Sequence, residues 1–524
     1  MRDIIEIINL LDTTKLKNSG VFQYIIEQGS KMERLYEALV DGRIKTDDDA
    51  KSFFSDGKGD GAYIANLKSD LKDRLVNTFF LLDFKDNNYS GRQKAYYDCQ
   101  KRWAVIMVLL TRNAKISGID LAERLLRHTI RFEFTELTLD ILRVLRLQYS
   151  VIEGDIKKYE QICEQYDWYE KVWLMESKAE RYYANLISHY TNSKATQIDL
   201  LAQANRYYEE LAPFMSECES FKLHLMGNMI RIMTHNIEND YVRTAEVCEE
   251  VIVFFAKKDY DSGLPIQVFY YNLITCYLQL RAFEKGQAVI DRCSYYFEEW
   301  SFNWFKLQEL FFMLAVHTQH YEEAYILYAK VMPKLDKKYA PTVEMWRINQ
   351  LYLCFLVKTG HIQNPDAKEK LGKMKINRLV NDITLFAKDK RGMNITVLIA
   401  QILFALVDKN YDQTVERIDA IEKYCTRYLN RHDTYRSNCF IKMLLVLPLA
   451  SFHREGVIRK TERYQKMLIA TPLEAARQAH EIEIVPYEDL WGMIVNTLNL
   501  KLQKFKRLAI SSSTQTIVST EEAQ

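Results

Sequence analysis

The chain contains little proline and little glycine, the residues that interrupt helices and shape turns. Only 8 prolines and 17 glycines occur among 524 residues, and the first proline is Pro213. Because proline breaks helix interiors and sheet proteins need many turn residues, this scarcity favours long helices over a β-sheet fold. Hydrophobic residues make up 48% and aromatic residues 12%, which excludes a wholly disordered chain. We therefore expect an all-α protein.

An excess of charge, paired cysteine motifs and long apolar runs are also lacking. The net charge of +1 gives no general attraction to nucleic acid or to anionic membranes. The nine cysteines include no Cys-x-x-Cys pair, and unpaired thiols are typical of a reducing cytosol. The apolar stretches 395–407 and 439–452 are shorter than the roughly 18–20 residues of a membrane span, and the first residues lack a signal-peptide pattern. We predict a cytoplasmic protein without membrane insertion.

Motifs for catalysis, cofactors or metals are not found. The glycines of 57–61 have the wrong spacing for a dinucleotide fingerprint. The same loop resembles a calcium loop only in part, because Lys58 and Leu67 stand where carboxylates are needed. His317 and His320 are three residues apart, but nothing nearby completes a zinc site, so solvent-facing or hydrogen-bonded histidines are the simpler interpretation. We expect no enzyme activity, no cofactor and no metal.

A short signature recurs between two apolar helix patterns. It consists of an aromatic residue, an acid, a variable residue and a small residue, and it occurs three times: Phe283-Glu-Lys-Gly286, Tyr321-Glu-Glu-Ala324 and Tyr411-Asp-Gln-Thr414. The first two copies begin 38 residues apart, and the third follows 90 residues later, which leaves room for one degenerate copy. Periods of this size are typical of stacked helix pairs, each too small to bury its own apolar face.

These residues resemble the repeats of the tetratricopeptide-repeat family, as they occur in bacterial proteins of that type. In 311–332, Ala324 and Tyr328 match the small and aromatic positions of the family's second helix, whereas the family's Leu-Gly is missing and the spacing exceeds 34 residues. The resemblance implies a right-handed α-solenoid of tetratricopeptide-like hairpins. It also implies a protein that binds peptides or partner domains in a groove and catalyses nothing.

The chain is divided on this basis into three parts. Residues 1–90 form an N-terminal helical module, 91–508 the solenoid, and 509–524 a disordered Ser/Thr-rich tail. In the module, Thr46 suits a helix N-cap, and a longer helix places Ile64, Leu67, Leu71 and Leu75 on one face. We expect this face, continued by Phe79 and Leu82, to dock on the first hairpin as a cap.

An alternative for the module is a helix-turn-helix. The short helix, glycine loop and longer helix resemble the front end of bacterial transcriptional activators that carry similar repeats. However, 43–77 contain seven basic and seven acidic residues, whereas a DNA-reading element normally has a positive face. The cap is therefore favoured over DNA binding.

One charge anomaly lies near the C-terminus. Residues 423–466 contain ten basic residues and three acids. Within this region the candidate contacts for an acidic partner or a nucleic-acid backbone are Tyr424, Arg427, Tyr428, Arg431 and Arg436. The simpler interpretation is a solvated basic face, or one that pairs with acids of the same chain.

Two hypotheses for function follow. The first is a non-enzymatic scaffold or adaptor that binds a protein or peptide partner in the solenoid groove. The second is a nucleic-acid-linked transcriptional regulator that uses the N-terminal helices, the basic 423–466 surface, or both.

Overall fold

The computed structural model describes residues 1–10, 26–54, 61–78, 91–192, 197–335, 340–374, 393–428, 435–473 and 482–498. Over these residues the protein is all-helical, with 22 α-helices and no strand. The chain divides into two compact units, Met1–Trp173 and Leu174–Gln524, and the boundary lies within a helix. The predicted all-α class is confirmed.

The first unit contains seven helices and the start of an eighth. They are α1 (Arg2–Leu10), α2 (Lys31–Val40), α3 (Asp47–Phe54), α4 (Gly61–Thr78), α5 (Gly91–Thr111), α6 (Lys115–Arg131), α7 (Thr135–Leu147) and α8 (Ile156–Asn192), with a π-helical turn at Gln148–Glu153 before α8. Helix α8 runs for 37 residues without a break. No proline or glycine interrupts 156–192, and a continuous helix follows.

The N-terminal module, 1–78, has a core of its own. Thr46 caps α3 as predicted, because its hydroxyl accepts from the Asp49 backbone N–H while the Asp49 carboxylate accepts from the Thr46 N–H. The predicted α4 face is buried, but its partners are side chains of α1 and α2 such as Ile4 and Leu35. The face that was expected to cover the first hairpin therefore closes the module itself. Phe79, Leu82 and the glycine loop at 55–60 lie outside the described residues.

The second unit continues as helical hairpins. Its helices after α8 are α9 (Gln197–Glu217), α10 (Phe221–Ile237), α11 (Tyr241–Ala256), α12 (Gly263–Gln279), α13 (Phe283–Cys293), α14 (Phe302–His317), α15 (Tyr321–Val331), α16 (Ala340–Lys358), α17 (Pro365–Lys370), α18 (Met393–Val407), α19 (Tyr411–Tyr428), α20 (Tyr435–Leu449), α21 (Arg454–Ala470) and α22 (Tyr487–Thr497). Consecutive helices pack against each other, and α12, α14, α16 and α18 also make contact in that order. The large core of this unit runs from Ile232 to Leu498.

One tight turn recurs in both units between the two helices of a hairpin. A residue with positive φ ends the first helix, and the N–H of the next residue bonds to the carbonyl five positions earlier, at 2.8–2.9 Å. This is the Schellman arrangement, which satisfies carbonyls that the helix end leaves unpaired. Nine turns have this arrangement in the described residues, and their positive-φ residues are Gly42, Asn113, Glu133, Asn239, Arg281, Gln319, Gly360, Lys409 and Ser451. The turn at Gly360, followed by the short α17, occupies the place left for a degenerate copy.

The three signature copies begin α13, α15 and α19, directly after such turns. Their aromatic residues pack on the turn of the next hairpin: ring centroids are 3.6 Å apart for Phe283 and His320, and 4.4 Å for Tyr411 and Phe452. The acid of the second copy also contacts the next turn, because the Glu322 carboxylate accepts a hydrogen bond from the Gln363 N–H. The signature therefore carries contacts between successive hairpins, which explains why it recurs with their period.

The fourth position of the signature is small because another helix lies against it. A Cβ added at Gly286 would collide with Cδ2 of the buried Leu314 on α14. Ala324 and Thr414 are fully buried at the equivalent places, as are Thr244 and Thr138 in hairpins that the signature did not identify. This position fixes how closely neighbouring hairpins approach.

A matched pair of glycines tests this close approach. Alanine is favoured over glycine in a helix interior by about 1 kcal/mol, so Gly492→Ala on α22, where nothing lies within 4 Å, should stabilise the protein. Gly286→Ala should instead lower the free energy of unfolding by about 1–3 kcal/mol, because overpacking against Leu314 outweighs the propensity gain. Chemical denaturation of both variants gives the comparison. Equal stabilisation by the two substitutions would contradict the close packing at Gly286.

Candidate partner-binding face

Of the five residues predicted to contact a partner, only one has a side chain that the structure describes. Tyr424, Arg427 and Tyr428 lie in the last turns of α19, but the described part of the structure does not include their side chains. Arg431 lies outside the described residues. Arg436 is described in full, and it is not on the surface.

Arg436 lies at the start of α20 with no exposed side-chain surface. Its Nη2 donates to Glu483 at 2.6 Å and to Glu488 at 2.7 Å, and its Nη1 donates to the carbonyls of Leu468 and Thr471. The prediction that Arg436 contacts a partner is therefore wrong, since a buried guanidinium with these hydrogen bonds cannot reach one. The sequence interpretation that basic residues of 423–466 pair within the chain holds for this residue.

The electrostatics of this cluster follow from its burial. Burial works against the charged guanidinium, yet the hydrogen bonds and negative charges of Glu483 and Glu488 outweigh it, so the pKa of Arg436 lies well above its ordinary value. Burial raises the pKa of the Glu483 carboxyl, against the lowering effect of Arg436. The Glu483 carboxylate also accepts from the Tyr487 N–H at 2.7 Å. All of these bonds hold the chain together, so the cluster is structural.

Glu483 belongs to a segment, residues 482–498, that we call the C-terminal segment. Residues 482–487 are six consecutive buried residues, of which 482–486 form irregular backbone before α22. Buried backbone needs partners, and it finds them here: Thr396 Oγ1 donates to the Ile482 carbonyl and His317 Nε2 to the Glu483 carbonyl. His317 is thus the hydrogen-bonded histidine that the sequence allowed. It is buried and not solvent-facing.

These contacts place the C-terminal segment along one side of the hairpins. Thr396 is on α18, His317 on α14 and Arg436 on α20, and each of these helices is the first helix of its hairpin. We call the side of the hairpins on which these contacts lie the first-helix face. Ring stacking of Tyr487 on Phe440 of α20, at 4.3 Å, and a 2.8 Å hydrogen bond from Gln319 to Asp489 extend the contact. The segment therefore covers the first-helix face from the C-terminal end of α14 to α20.

The first-helix face of α12 and the N-terminal half of α14 is exposed. Leu264, Val268 and Tyr271 of α12 are 44%, 39% and 38% exposed, and Phe302 of α14 is 50% exposed. Asn303 Nδ2 donates to Gln267 Oε1 at 2.9 Å, which links the two helices beside this patch. We call these four apolar side chains the open patch. No sequence motif marks this patch, although the absence of any charged residue from α12 is a signal for it.

The other predicted surfaces give weaker sites. On α21, the bases Arg459, Lys460 and Arg463 are exposed, but Lys460 bonds to the Leu449 carbonyl and the nearby Lys466 pairs with Glu462. This helix keeps a basic side whose charge is partly offset.

In the N-terminal module, the longer helix of the helix-turn-helix alternative is α4. Its lysines Lys68 and Lys72 pair with Asp47 and Asp3, and the burial of its apolar face leaves Asp70 and Asp73 among its exposed residues. A DNA-reading helix would need more free positive charge than this.

Within the described part of the chain, every helix is too short or too polar to cross a lipid bilayer. Comparison with protein-family models, with curated proteins and with solved structures gives no match to this chain.

Proposed function

We propose that the protein is a non-enzymatic interaction scaffold, an adaptor that holds a partner protein on its first-helix face. In this proposal the hairpins from about residue 91 onward stack as a right-handed tetratricopeptide-like solenoid. The support is the repeated Schellman turn and the packing of each signature aromatic ring on the next turn, which relate successive hairpins in the same way. Stacked hairpins present an extended surface and need no chemistry of their own.

The observation that carries the proposal is the contrast along the first-helix face. From α14 to α20 the face is filled by the chain's own C-terminal segment, whose Leu490, Trp491 and Ile494 are buried. Fully burying such a side chain contributes roughly 1.5–3 kcal/mol, so the segment is an integral part of the fold and not a displaceable ligand. The open patch remains apolar and exposed, as partner-binding surfaces of soluble proteins are.

Two further features fit the adaptor. Four buried polar side chains form hydrogen bonds within the chain itself, and we interpret them as structural groups and not as catalytic ones. They are Arg436, Glu483, His317 and Thr396. The eight cysteines whose side chains are described are all free thiols, which suits the cytoplasmic location that we propose.

Purification of the tagged full-length protein from its native cells tests the adaptor. A partner protein should accompany it in a fixed stoichiometry and survive nuclease treatment. Recovery of the protein alone, together with turnover of a metabolite, would refute the proposal. The basic side of α21 supports the alternative regulator, for which the co-purifying molecule would be nucleic acid and its binding would fall steeply with salt.

A further inference from the structure

Helix α12 exposes a side that is largely apolar and carries no charge. Its 17 residues include no charged side chain, although Leu264, Val268 and Tyr271 face solvent along one stripe. The polar neighbours turn inward onto the helix: Asn272 donates to the Val268 carbonyl and Thr275 to the Tyr271 carbonyl. A contiguous apolar stripe of this kind marks an interaction surface in soluble proteins.

The stripe continues a surface that already carries a helix. Ala282 and His320 occupy the same position in the turns that follow α12 and α14. Counted back from these two residues, Leu264 and Val268 of α12 correspond to Phe302 and Lys306 of α14. His317 follows Lys306 by about three helical turns and therefore lies on the same side of α14. Because His317 contacts the C-terminal segment through the Glu483 carbonyl, the open patch and the site of that segment are parts of one face.

The character of the segment indicates what this face accepts. After the irregular 482–486, the segment is a helix, α22, which buries Leu490, Trp491 and Ile494 and leaves Gly492 and Asn496 exposed. It is amphipathic, and helices of this type bind apolar grooves through residues at i, i+3, i+4 and i+7.

We propose that the open patch, Leu264, Val268, Tyr271 and Phe302, docks an amphipathic helix of a partner protein beside α22. This inference rests on the proposed adaptor function and specifies its surface and the chemistry of its partner. Lys306, whose ammonium lies 5.8 Å from the centre of the Phe302 ring and 2.6 Å from the Glu309 carboxylate, is at the edge of the patch and meets the polar side of the docked helix. A second copy of this chain and the chain's own residues 499–524 are the competing occupants.

The test uses the full-length protein and a synthetic amphipathic peptide of about five helical turns with leucine on one face and glutamate and lysine on the other. A scrambled peptide of the same composition has no apolar face. Fluorescence anisotropy should show binding of the amphipathic peptide only. The double variant Leu264→Glu/Val268→Glu should weaken it by about tenfold or more, because the introduced carboxylates would lose hydration without gaining a partner. Val242→Glu, at a valine of α11 that is 55% exposed against 39% for Val268, is the control outside the patch and should bind as the wild type does.

Several results would overturn the inference. Equal binding by the double variant and the wild type, or an equal loss in Val242→Glu, would remove the patch as the docking site. Dimerisation of the wild type in sedimentation velocity, abolished in the double variant, would make a second copy the occupant. Tighter peptide binding after deletion of 499–524 would make the tail the occupant. If a stoichiometric partner still co-purifies with the double variant, the adaptor function stands and only the docking site is wrong.

Discussion

Replacing Arg436 by leucine is expected to lower the free energy of unfolding by about 3–5 kcal/mol. The substitution leaves the Glu483 carboxylate buried without its counter-charge, and it removes the donors to the carbonyls of Leu468 and Thr471. Leucine fills much of the space, so the loss arises mainly from unpaired polar groups. Guanidinium denaturation followed by circular dichroism measures the effect.

Two controls show whether burial and pairing are the cause. Arg463→Leu removes an arginine from the exposed side of α21 and should change stability by no more than about 0.5 kcal/mol. Adding Glu483→Leu to Arg436→Leu should recover at least about 1 kcal/mol, because the double substitution removes the stranded charge. A single Arg436→Leu variant as stable as the wild type would show that the cluster does not tie 482–488 to α20.

Placing aspartate at both Leu71 and Leu75 is expected to unfold the N-terminal module. Both side chains are buried, at 0% and 2% exposure, in a core whose described members all lie within residues 1–75. Each buried carboxylate costs several kcal/mol, which together exceeds what a small core can supply. Because this core is separate, differential scanning calorimetry should show the transition of the second unit, Leu174–Gln524, unchanged.

The matched control for this prediction uses the exposed side of the same helix. Asn66→Asp and Ser69→Asp add the same two charges to α4, but both positions face solvent. This variant should melt within a few degrees of the wild type. If the Leu71→Asp/Leu75→Asp variant retains the module and loses a nucleic-acid ligand, α4 is a recognition helix and the regulator hypothesis replaces the adaptor.

Local features of the fold could be predicted from the sequence because their causes are local. Tyr321-Glu-Glu-Ala324 combines an aromatic contact, an N-terminal acid and a small residue in four positions, so one window reveals the start of α15. The signature did not identify the α10–α11 hairpin, because Tyr241-Val-Arg-Thr244 lacks the acid. Most of the turns give no signal in the sequence either, since their positive-φ positions are held mostly by residues such as Glu133, Arg281 and Gln319 instead of glycine.

The candidate site depends on contacts that a sequence window cannot show. Arg436 was counted as surface charge because its partners Glu483 and Glu488 are 47 and 52 residues away. The apolar face of α4 was predicted correctly as buried, but the pattern does not specify which helices cover it. Likewise, the apolar residues of α22 do not reveal in the sequence that this helix packs on the first-helix face of its own hairpins.

Hydrogen–deuterium exchange on the full-length protein tests most directly whether the C-terminal segment occupies the first-helix face. If 482–486 are buried between α14, α18 and α20, the amides of 482–485 should exchange as slowly as those of the buried helices α16 and α18, even though this stretch is not α-helical. Exchange of 482–498 at the rate of a free peptide would contradict the account, because the face from α14 to α20 would then be open and the open patch would be only part of it.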